Sequence, residues 1–334
     1  MFLDLIHQYF QTALSQLPGP AQQLLRSPYT QKSLAILVTL SVVCSLNRYL
    51  TERAHNNWIR IGKWVPSREL VLITGGCSGI GKQVVNDLAN TGVRVIILDT
   101  NEPDFPLPSN VAFYRADVTS SKNIAEVAES IRSEHGEPTV LINNAGVGHG
   151  GTILEEPEAH IRHTFEVNTL SHFLTVKEFL PAMIKVNHGH IITVASVTSF
   201  LALGTIVDYA CTKASALAFH EGLHQELRYW YDAPKVRTSI IHPNLVRTPM
   251  IQSITDREAH SRQPIMDPQV VSEAICRQII TQSSGQVFLP KSVSSTSFLR
   301  AMPFWMQEGL RSFVSRDLRR QRNNQKAEAK VSGL

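Results

Sequence analysis

Only four cysteines (Cys44, Cys77, Cys211 and Cys276) occur in 334 residues, with no CxxC pair and no even-spaced framework. Asn-x-Ser/Thr sequons are absent as well. Both absences favour a reducing compartment for the folded part of the chain. Charged residues are also few, at 18% against ~25% in an average soluble protein, so part of the surface is expected to be apolar. What charge there is lies unevenly. Residues 1–66 carry six Lys/Arg against two acids and residues 291–334 nine against three, which leaves residues 67–290 acidic. An acidic middle with basic ends excludes the pattern of a nucleic-acid groove. Basic flanks suit an anionic membrane surface, where each Lys or Arg contributes ~1 kcal/mol; a merely solvated basic tail is the alternative.

Long hydrophobic runs are scarce too. The most apolar is "LAILVTLSVVCSL", residues 34–46, and as a helix it covers only ~20 Å of a ~30 Å hydrocarbon core. It begins too far along the chain for a cleaved signal peptide. Membrane attachment is expected, as a short span or an interfacial segment, with a buried core helix as the alternative. Before it, Phe2, Ile6, Tyr9, Ala13 and Leu17 recur three or four apart, an amphipathic helical stripe that "LPGP" ends.

From Glu69 onward, strands alternate with helices. "ELVLITG", "VRVIILD", "VAFYRAD", "TVLINNAG", "GHIITVAS", "KVRTSIIHP" and "GQVFLP" read as buried strands. The stretches between them are long enough for crossover helices, among them 120–135. The pattern predicts an α/β, Rossmann-type doubly wound parallel sheet. Three regions are expected: a membrane-anchoring segment 1–66, a catalytic domain 67–290, and a basic amphipathic extension with a disordered tail over 291–334.

Directly after the first strand stands "TGGCSGIG", with Gly75, Gly79 and Gly81 opening a helix. Glycines there let the backbone turn tightly against a pyrophosphate, whose charge meets the helix N-terminus. A plain turn is the bland reading; the strand-to-helix context argues for phosphate binding. Asp99 closes the second strand, eighteen residues past Gly81. A carboxylate there accepts from ribose hydroxyls and repels a 2′-phosphate. No Lys or Arg stands between the glycines or immediately after Asp99, which favours NAD over NADP.

Two signatures share residues 209–224, "YACTKASALAFHEGLH": a Tyr-x-x-x-Lys and a His-Glu-x-x-His. Together with "TGGCSGIG", "NNAG" and Ser196, the first resembles the short-chain dehydrogenase/reductase superfamily over about residues 67–290. "FLPAMIKVNHGHIITVAS", "AFHEGLHQEL" and "HPNLVRTPM" are similar to its membrane-associated 17β-hydroxysteroid and retinol dehydrogenase branch. One departure is Asn244, where Pro-Gly is commoner in the wider superfamily. The resemblance implies a catalytic set of Asn168, Ser196, Tyr209 and Lys213. It implies cofactor contacts from Gly75, Ser78, Gly79, Ile80, Gly81, Asp99, Asp117, Val118, Asn143, Asn144, Ala145, Gly146, Tyr209, Lys213, Val246 and Thr248. Asp117 would meet the adenine and Thr248 the nicotinamide amide. A homodimer is implied, through the helices of the 160s–180s and 209–232.

The chemistry explains the residue types. Oxidising an alcohol removes the hydroxyl proton while a hydride leaves for nicotinamide. A free phenol, with a pKa near ~10, is a poor base at neutral pH. Lys213, four residues on and on the same helical face, would favour the phenolate of Tyr209. Ser196 would hold the substrate oxygen, and Asn168 would anchor a water relaying the proton. The histidine pair has a different reading. At ~100° per residue, Tyr209, Lys213, His220 and His224 fall within a ~60° arc, so the histidines are expected to pack in the core. A zinc hydrolase also needs a third ligand. His188 and His190 of "NHGH" read as turn residues. No metal is expected.

The expected function is a membrane-associated, NAD-dependent oxidoreductase of lipophilic secondary or allylic alcohols, steroid, retinoid or long-chain, at the endoplasmic reticulum or lipid droplet with its catalytic domain in the cytosol. The alternatives are an NADPH-dependent ketoreductase and an idle NAD-binding lipid-coat protein. Residues 249–268 are expected to close over the substrate. Phe298, Met302, Trp305, Met306, Leu310 and Phe313 stand near helical spacing among arginines, as in a membrane-lying helix or a packing helix.

Overall fold

In the computed structural model, the residues described are 15–60, 62–251 and 265–331, with Gln8 and Thr12. The apolar residues Phe2, Ile6, Tyr9 and Ala13 of the expected N-terminal stripe lie outside them, as does most of the expected substrate-covering segment. Two compact units form, Met1–Ala54 and His55–Leu334.

In the first unit, helix α1 (Gly19–Arg26) is followed by α2 (Pro28–His55). The apolar run 34–46 is thus the middle of a 28-residue helix, ~42 Å long at 1.5 Å per residue. The polar ends are helical because Gln, Lys, Arg and Glu are good helix formers that propagate the apolar nucleus in both directions. None of α2 is buried, and it is long and apolar enough to cross a bilayer.

The second unit is built on seven parallel strands in the order β3-β2-β1-β4-β5-β6-β7. They are β1 (Leu70–Thr74), β2 (Arg94–Asp99), β3 (Val111–Arg115), β4 (Val140–Asn143), β5 (Gly189–Val194), β6 (Val236–Pro243) and β7 (Gly285–Leu289). Alternation along the strands feeds two cores. Val71, Ile73, Val95, Ile97 and Ile142 face α3 (Gly79–Asn90) and α8 (Pro268–Ile280), through Val84, Leu88, Val271 and Ile275. Leu70, Leu72, Ile96, Leu98 and Leu141 face α4 (Ser121–His135), α6 (Ser171–Val186) and α7 (Val207–Tyr229), through Ile124, Ile131, Phe179 and Leu227. The sheet is therefore covered on both sides, the doubly wound arrangement that the buried runs require.

Helix α5 (Glu158–Phe165) enters α6 through a π-turn, Glu166–Leu170. Residues 55–66, expected in the anchoring segment, contribute to the second unit. Asn56 receives the Ser284 N–H at 3.0 Å, and Asn57 Nδ2 donates to Pro234 O at 3.0 Å. Beyond β7, a 3₁₀ run (Lys291–Ala301) precedes α9 (Phe304–Val331). The expected apolar stripe is thus divided, because Pro303 cannot supply the N–H a continuous helix needs. Helix α9 also extends through residues 321–331, where a disordered tail was expected; Arg, Gln, Lys, Ala and Glu there have high helix propensity.

Candidate active site

At the carboxyl end of β1 the chain turns through Gly75 at φ +68°, and Gly79 stands at φ +51°. A Cβ on Gly81 would lie 2.0 Å from the Gly75 carbonyl oxygen, and one on Gly75 would lie 2.9 Å from Ala145 Cα. Side chains are excluded by this packing of backbone on backbone. Ser78 occupies the N-cap of α3, yet no side chain caps the first turn. Its N–H groups and dipole are left for an anion. This cradle fits a dinucleotide pyrophosphate, with Gly75, Ser78, Gly79, Ile80 and Gly81 around it.

Asp99 ends β2 beside the cradle. Its Oδ2 accepts the Cys77 N–H and its Oδ1 the Asn101 N–H, both at 3.0 Å. The carboxylate is thereby fixed with lone pairs to spare for ribose hydroxyls. Burial, followed by the Asp99 carboxylate, pushes the Cys77 thiol up to about 12; this cysteine stays a thiol. Two cations lie near this edge. Arg115 is the register partner of Asp99 on β3, and it is paired with Glu102 at 2.8 Å. Lys82 of α3 is paired with Asp104 at 2.8 Å.

Asp117 binds its own turn, accepting from Thr119 N at 2.9 Å and Thr119 Oγ1 at 2.7 Å, with Val118 buried behind it. The end of β4 is tied to the end of β1. Thr74 Oγ1 receives the N–H groups of Asn144 and Ala145, and Asn144 Nδ2 donates to the carbonyls of Thr74 and Gly75. Thr74 was not among the expected site residues; it stands as the first letter of "TGGCSGIG". Asn143 faces elsewhere, accepting from Thr175 Oγ1 of α6 at 2.8 Å. Val246 is buried and bridges to Met266, and a Cβ on Gly79 would meet Thr248 Cγ2 at 3.0 Å. The β6 loop therefore lies over the glycine turn.

The four residues of the expected catalytic set come from three elements, the π-turn, the end of β5 and α7. Asn168 is wholly buried in the π-turn. Its Oδ1 accepts the Val147 N–H at 2.8 Å; its Nδ2 donates to Val147 O at 2.8 Å and to Thr212 Oγ1 at 3.2 Å. The side-chain amide thus holds the loop after β4. Ser196 follows β5, buried, with its Oγ accepting the Thr198 N–H at 3.2 Å. Behind it, His242 Nδ1 donates to the Ser196 carbonyl at 3.0 Å. Burial holds His242 down at about 4, so it is neutral.

Lys213 Nζ donates to Val194 O at 3.0 Å and lies 5.5 Å from the Tyr209 ring centroid. Its built-up surroundings leave 4% of it exposed. Burial lowers its pKa to about 8. For Tyr209, burial raises the phenol to about 12, and a hydrogen bond with the Ser196 side chain opposes it. Among the protein's own groups, then, the phenol is a held proton rather than a phenolate. Desolvation disfavours the charged phenolate, and the Lys213 ammonium is directed at a carbonyl. The C-terminal extension reaches this region too. Arg300 Nη2 donates to Ser199 O at 3.0 Å, and Ser199 Oγ donates to Lys213 O at 2.7 Å.

The His220–His224 pair lies further along α7. His220 is buried and burial lowers it to about 3; His224 contacts Thr238 Oγ1 at 3.1 Å. Among the described residues no third His, Cys or carboxylate completes a metal cluster with them. His188 contacts Glu69 at 3.1 Å, while His190 is buried against Ser239 Oγ at 2.9 Å.

Comparison with known proteins agrees with this arrangement. The short chain dehydrogenase family matches residues 69–259. The chain is 43% identical to dehydrogenase RED2 of Cochliobolus heterostrophus over 204 residues, which is 60% of this chain and 77% of that protein. It is 30% identical to human estradiol 17-beta-dehydrogenase 11 over 283 residues, covering 80% of this chain and 89% of that protein. Among solved structures, a 3-ketoacyl-(acyl-carrier-protein) reductase from Brucella melitensis, complexed with NADH, superposes with a TM-score of 0.60 at 20% identity. That match covers 66% of this chain and 96% of the reductase, and it shows the fold. The chain belongs to the short-chain dehydrogenase family, in the 17β-hydroxysteroid dehydrogenase-like branch, and is an oxidoreductase of hydroxyl and carbonyl groups with a nicotinamide dinucleotide.

Proposed function

We propose that the protein is a membrane-attached, NAD-dependent oxidoreductase that interconverts a lipophilic secondary or allylic alcohol with its carbonyl. The observation that carries the reaction is the grouping of buried Ser196 and Lys213 with half-buried Tyr209 beside the glycine cradle. Bound NAD supplies the hydride acceptor. Ser196 Oγ holds the substrate oxygen, Tyr209 takes or returns the proton at that oxygen, and Lys213 balances charge on the phenol. Asn168 fixes Val147 and with it the wall of the cleft. The same groups serve carbonyl reduction in reverse, with the protonated phenol of Tyr209 as the donor.

NAD is favoured because Asp99 closes β2 beside the glycine cradle and a carboxylate there repels a 2′-phosphate, while Arg115 and Lys82 are each paired with an acid. Attachment to a bilayer or lipid droplet, at the endoplasmic reticulum with the catalytic unit cytosolic, is supported by the exposed apolar helix α2 and by the basic flanks. Exposed Phe165, Leu170 and Phe173 on the α5–α6 segment, with Tyr229 and Trp230 at the end of α7, support a homodimer.

The test is a panel of steroid, retinoid and long-chain alcohols, and their carbonyls, assayed with NAD and NADP beside Tyr209→Phe. Turnover of a lipophilic member with NAD, lost in the variant, is expected. Turnover confined to polar substrates, or a strong NADP preference, overturns the corresponding part. Flotation of the full chain with anionic vesicles checks the membrane assignment, and sedimentation the dimer.

A further inference from the structure

We propose that His149, Glu156 and His160 form a site for a divalent metal ion of the zinc class, which clips the loop after β4 to the start of α5 beside Tyr209. The proposal goes beyond the oxidoreductase reading and does not depend on it. One ligand atom from each of the three lies within 4.8 Å of the others. His160 Nδ1 stands 3.0 Å from Glu156 Oε1. Two ligands 2.0–2.1 Å from a tetrahedral zinc ion stand about 3.3 Å apart, close to that separation.

Three further features support the site. The Glu156 side chain is only 8% exposed, and among the described residues its charged partner is an imidazole rather than a Lys or Arg. A Cβ on Gly151 would fall 2.5 Å from Glu156 Oε2; a glycine is what lets the carboxylate lie there. Thr164, wholly buried, donates its hydroxyl proton to the His160 carbonyl at 2.8 Å. Its oxygen lies 3.4 Å from His149 Nδ1; with Nδ1 donating to it, the Nε2 lone pair is left for a metal, the outer support that orients a ligating histidine.

The two imidazoles are stacked, with centroids 4.1 Å apart and planes 13° apart. A metal lies in the plane of each ring it binds, so one ring has to turn. His160, 49% exposed, is free to do so, whereas His149 is held by Thr164. Two nitrogens and one carboxylate select zinc over magnesium or calcium, and the fourth position is open to water. The loop so clipped lines the reaction site. A Cβ on Gly148 would meet Tyr209 Cδ2 at 3.2 Å, and Gly151 N–H donates to Thr205 O at 2.9 Å.

The test is calorimetric titration of the full-length, tag-free protein with zinc chloride, beside His160→Ala and Glu156→Gln, with thermal unfolding to show that each variant folds. One saturable zinc per chain is expected, with affinity at least tenfold lower in both variants. Affinity should also fall from pH 7.5 to 6, because the ion displaces protons. Magnesium should give no saturable heat. No zinc binding by the unmutated chain, or equal binding by both folded variants, overturns the site. Alcohol oxidation measured in chelator is a separate reading, so loss of the zinc site and loss of the oxidoreductase assignment are told apart.

Discussion

The ammonium of Lys213 donates to the carbonyl of Val194 at 3.0 Å, joining the middle of α7 to the end of β5. The bond fixes the strand end from which Ser196 departs and sets the lysine beneath Tyr209. It also places a charge where water does not reach. Function and stability therefore pull in different directions at this residue.

Lys213→Met is expected to lower turnover ~100-fold or more, in the range of lost proton-transfer assistance. Its stability effect should vary with pH. Burial lowers the lysine from 10.5 to about 8 in the folded chain. Between those values the unfolded chain binds the extra proton, so the unmutated protein gains stability with rising pH while the variant does not. The shift corresponds to ~3 kcal/mol. Urea unfolding of both proteins from pH 7 to 10 measures it; a constant difference across that range would show that the ammonium is not desolvated.

Asp99→Ala removes an acceptor from the Cys77 and Asn101 N–H groups as well as from the ribose. Hydrogen bonds to a charged partner contribute ~1.5–3 kcal/mol each, so kcat/KM with NAD should fall ~10–100-fold. Activity with NADP should fall less or rise, because the repulsion of a 2′-phosphate is relieved. Steady-state kinetics with the two cofactors decide it. An equal loss with both would make Asp99 a loop brace only.

Much of this was legible in the sequence because its signals are local. Each of the seven strands is a short apolar run, and a residue such as Leu72 or Ile73 is assigned to one face or the other by alternation alone. The glycine turn, Ser196, Tyr209 and Lys213 likewise stand in short strings whose spacing carries the chemistry. What stayed hidden is made by distant pairs. His242 acts on Ser196 from 46 residues away, and Arg300 reaches Ser199 from a segment expected only at a membrane or a packing surface. The phenol's pKa also escaped, because the Tyr-x-x-x-Lys spacing records a neighbour's charge but not the burial that raises the phenol. His149 and His160 lie eleven residues apart with no ligand spacing, and only the turn into α5 stacks them.

Gly81→Ala should abolish cofactor binding and destabilise the fold. The added methyl would meet the Gly75 carbonyl oxygen at 2.0 Å and Asn144 Nδ2 at 2.7 Å. The first is backbone, and the second is a side-chain amide tied to the Thr74 and Gly75 carbonyls, so neither can yield as a free side-chain end would. Overpacking of this kind costs ~1–3 kcal/mol. Gly92→Ala is the contrast: nothing lies within 4 Å of its Cβ, and its φ of +78° makes the cost purely conformational. Cofactor fluorescence titration with thermal unfolding should show the first variant losing both properties and the second losing stability alone.

At the other end of the sheet, His188 and Glu69 should give a pH-dependent stability with no counterpart in catalysis. The hydrogen bond that His188 donates to Glu69 raises the histidine above 6.5 despite partial burial. For Glu69, burial acts upward, but the hydrogen bonds of His188 and Thr139 and the imidazolium charge leave it below 4.5. The histidine's contribution is complete below pH 6.5 and disappears as pH rises through its raised value. The carboxylate's is complete above pH 4.5 and disappears as pH falls through its lowered value. Between those two values the pair contributes most. His188→Ala should therefore lose stability chiefly at pH 5–6.5 and little at pH 8.5. Because His188 is about half exposed, the loss should stay below ~1 kcal/mol. Urea midpoints across pH 5–8.5 measure it, and kcat should be unchanged, since Glu69 and His188 precede β1 and β5 whereas the catalytic set lies beyond the carboxyl ends of the strands.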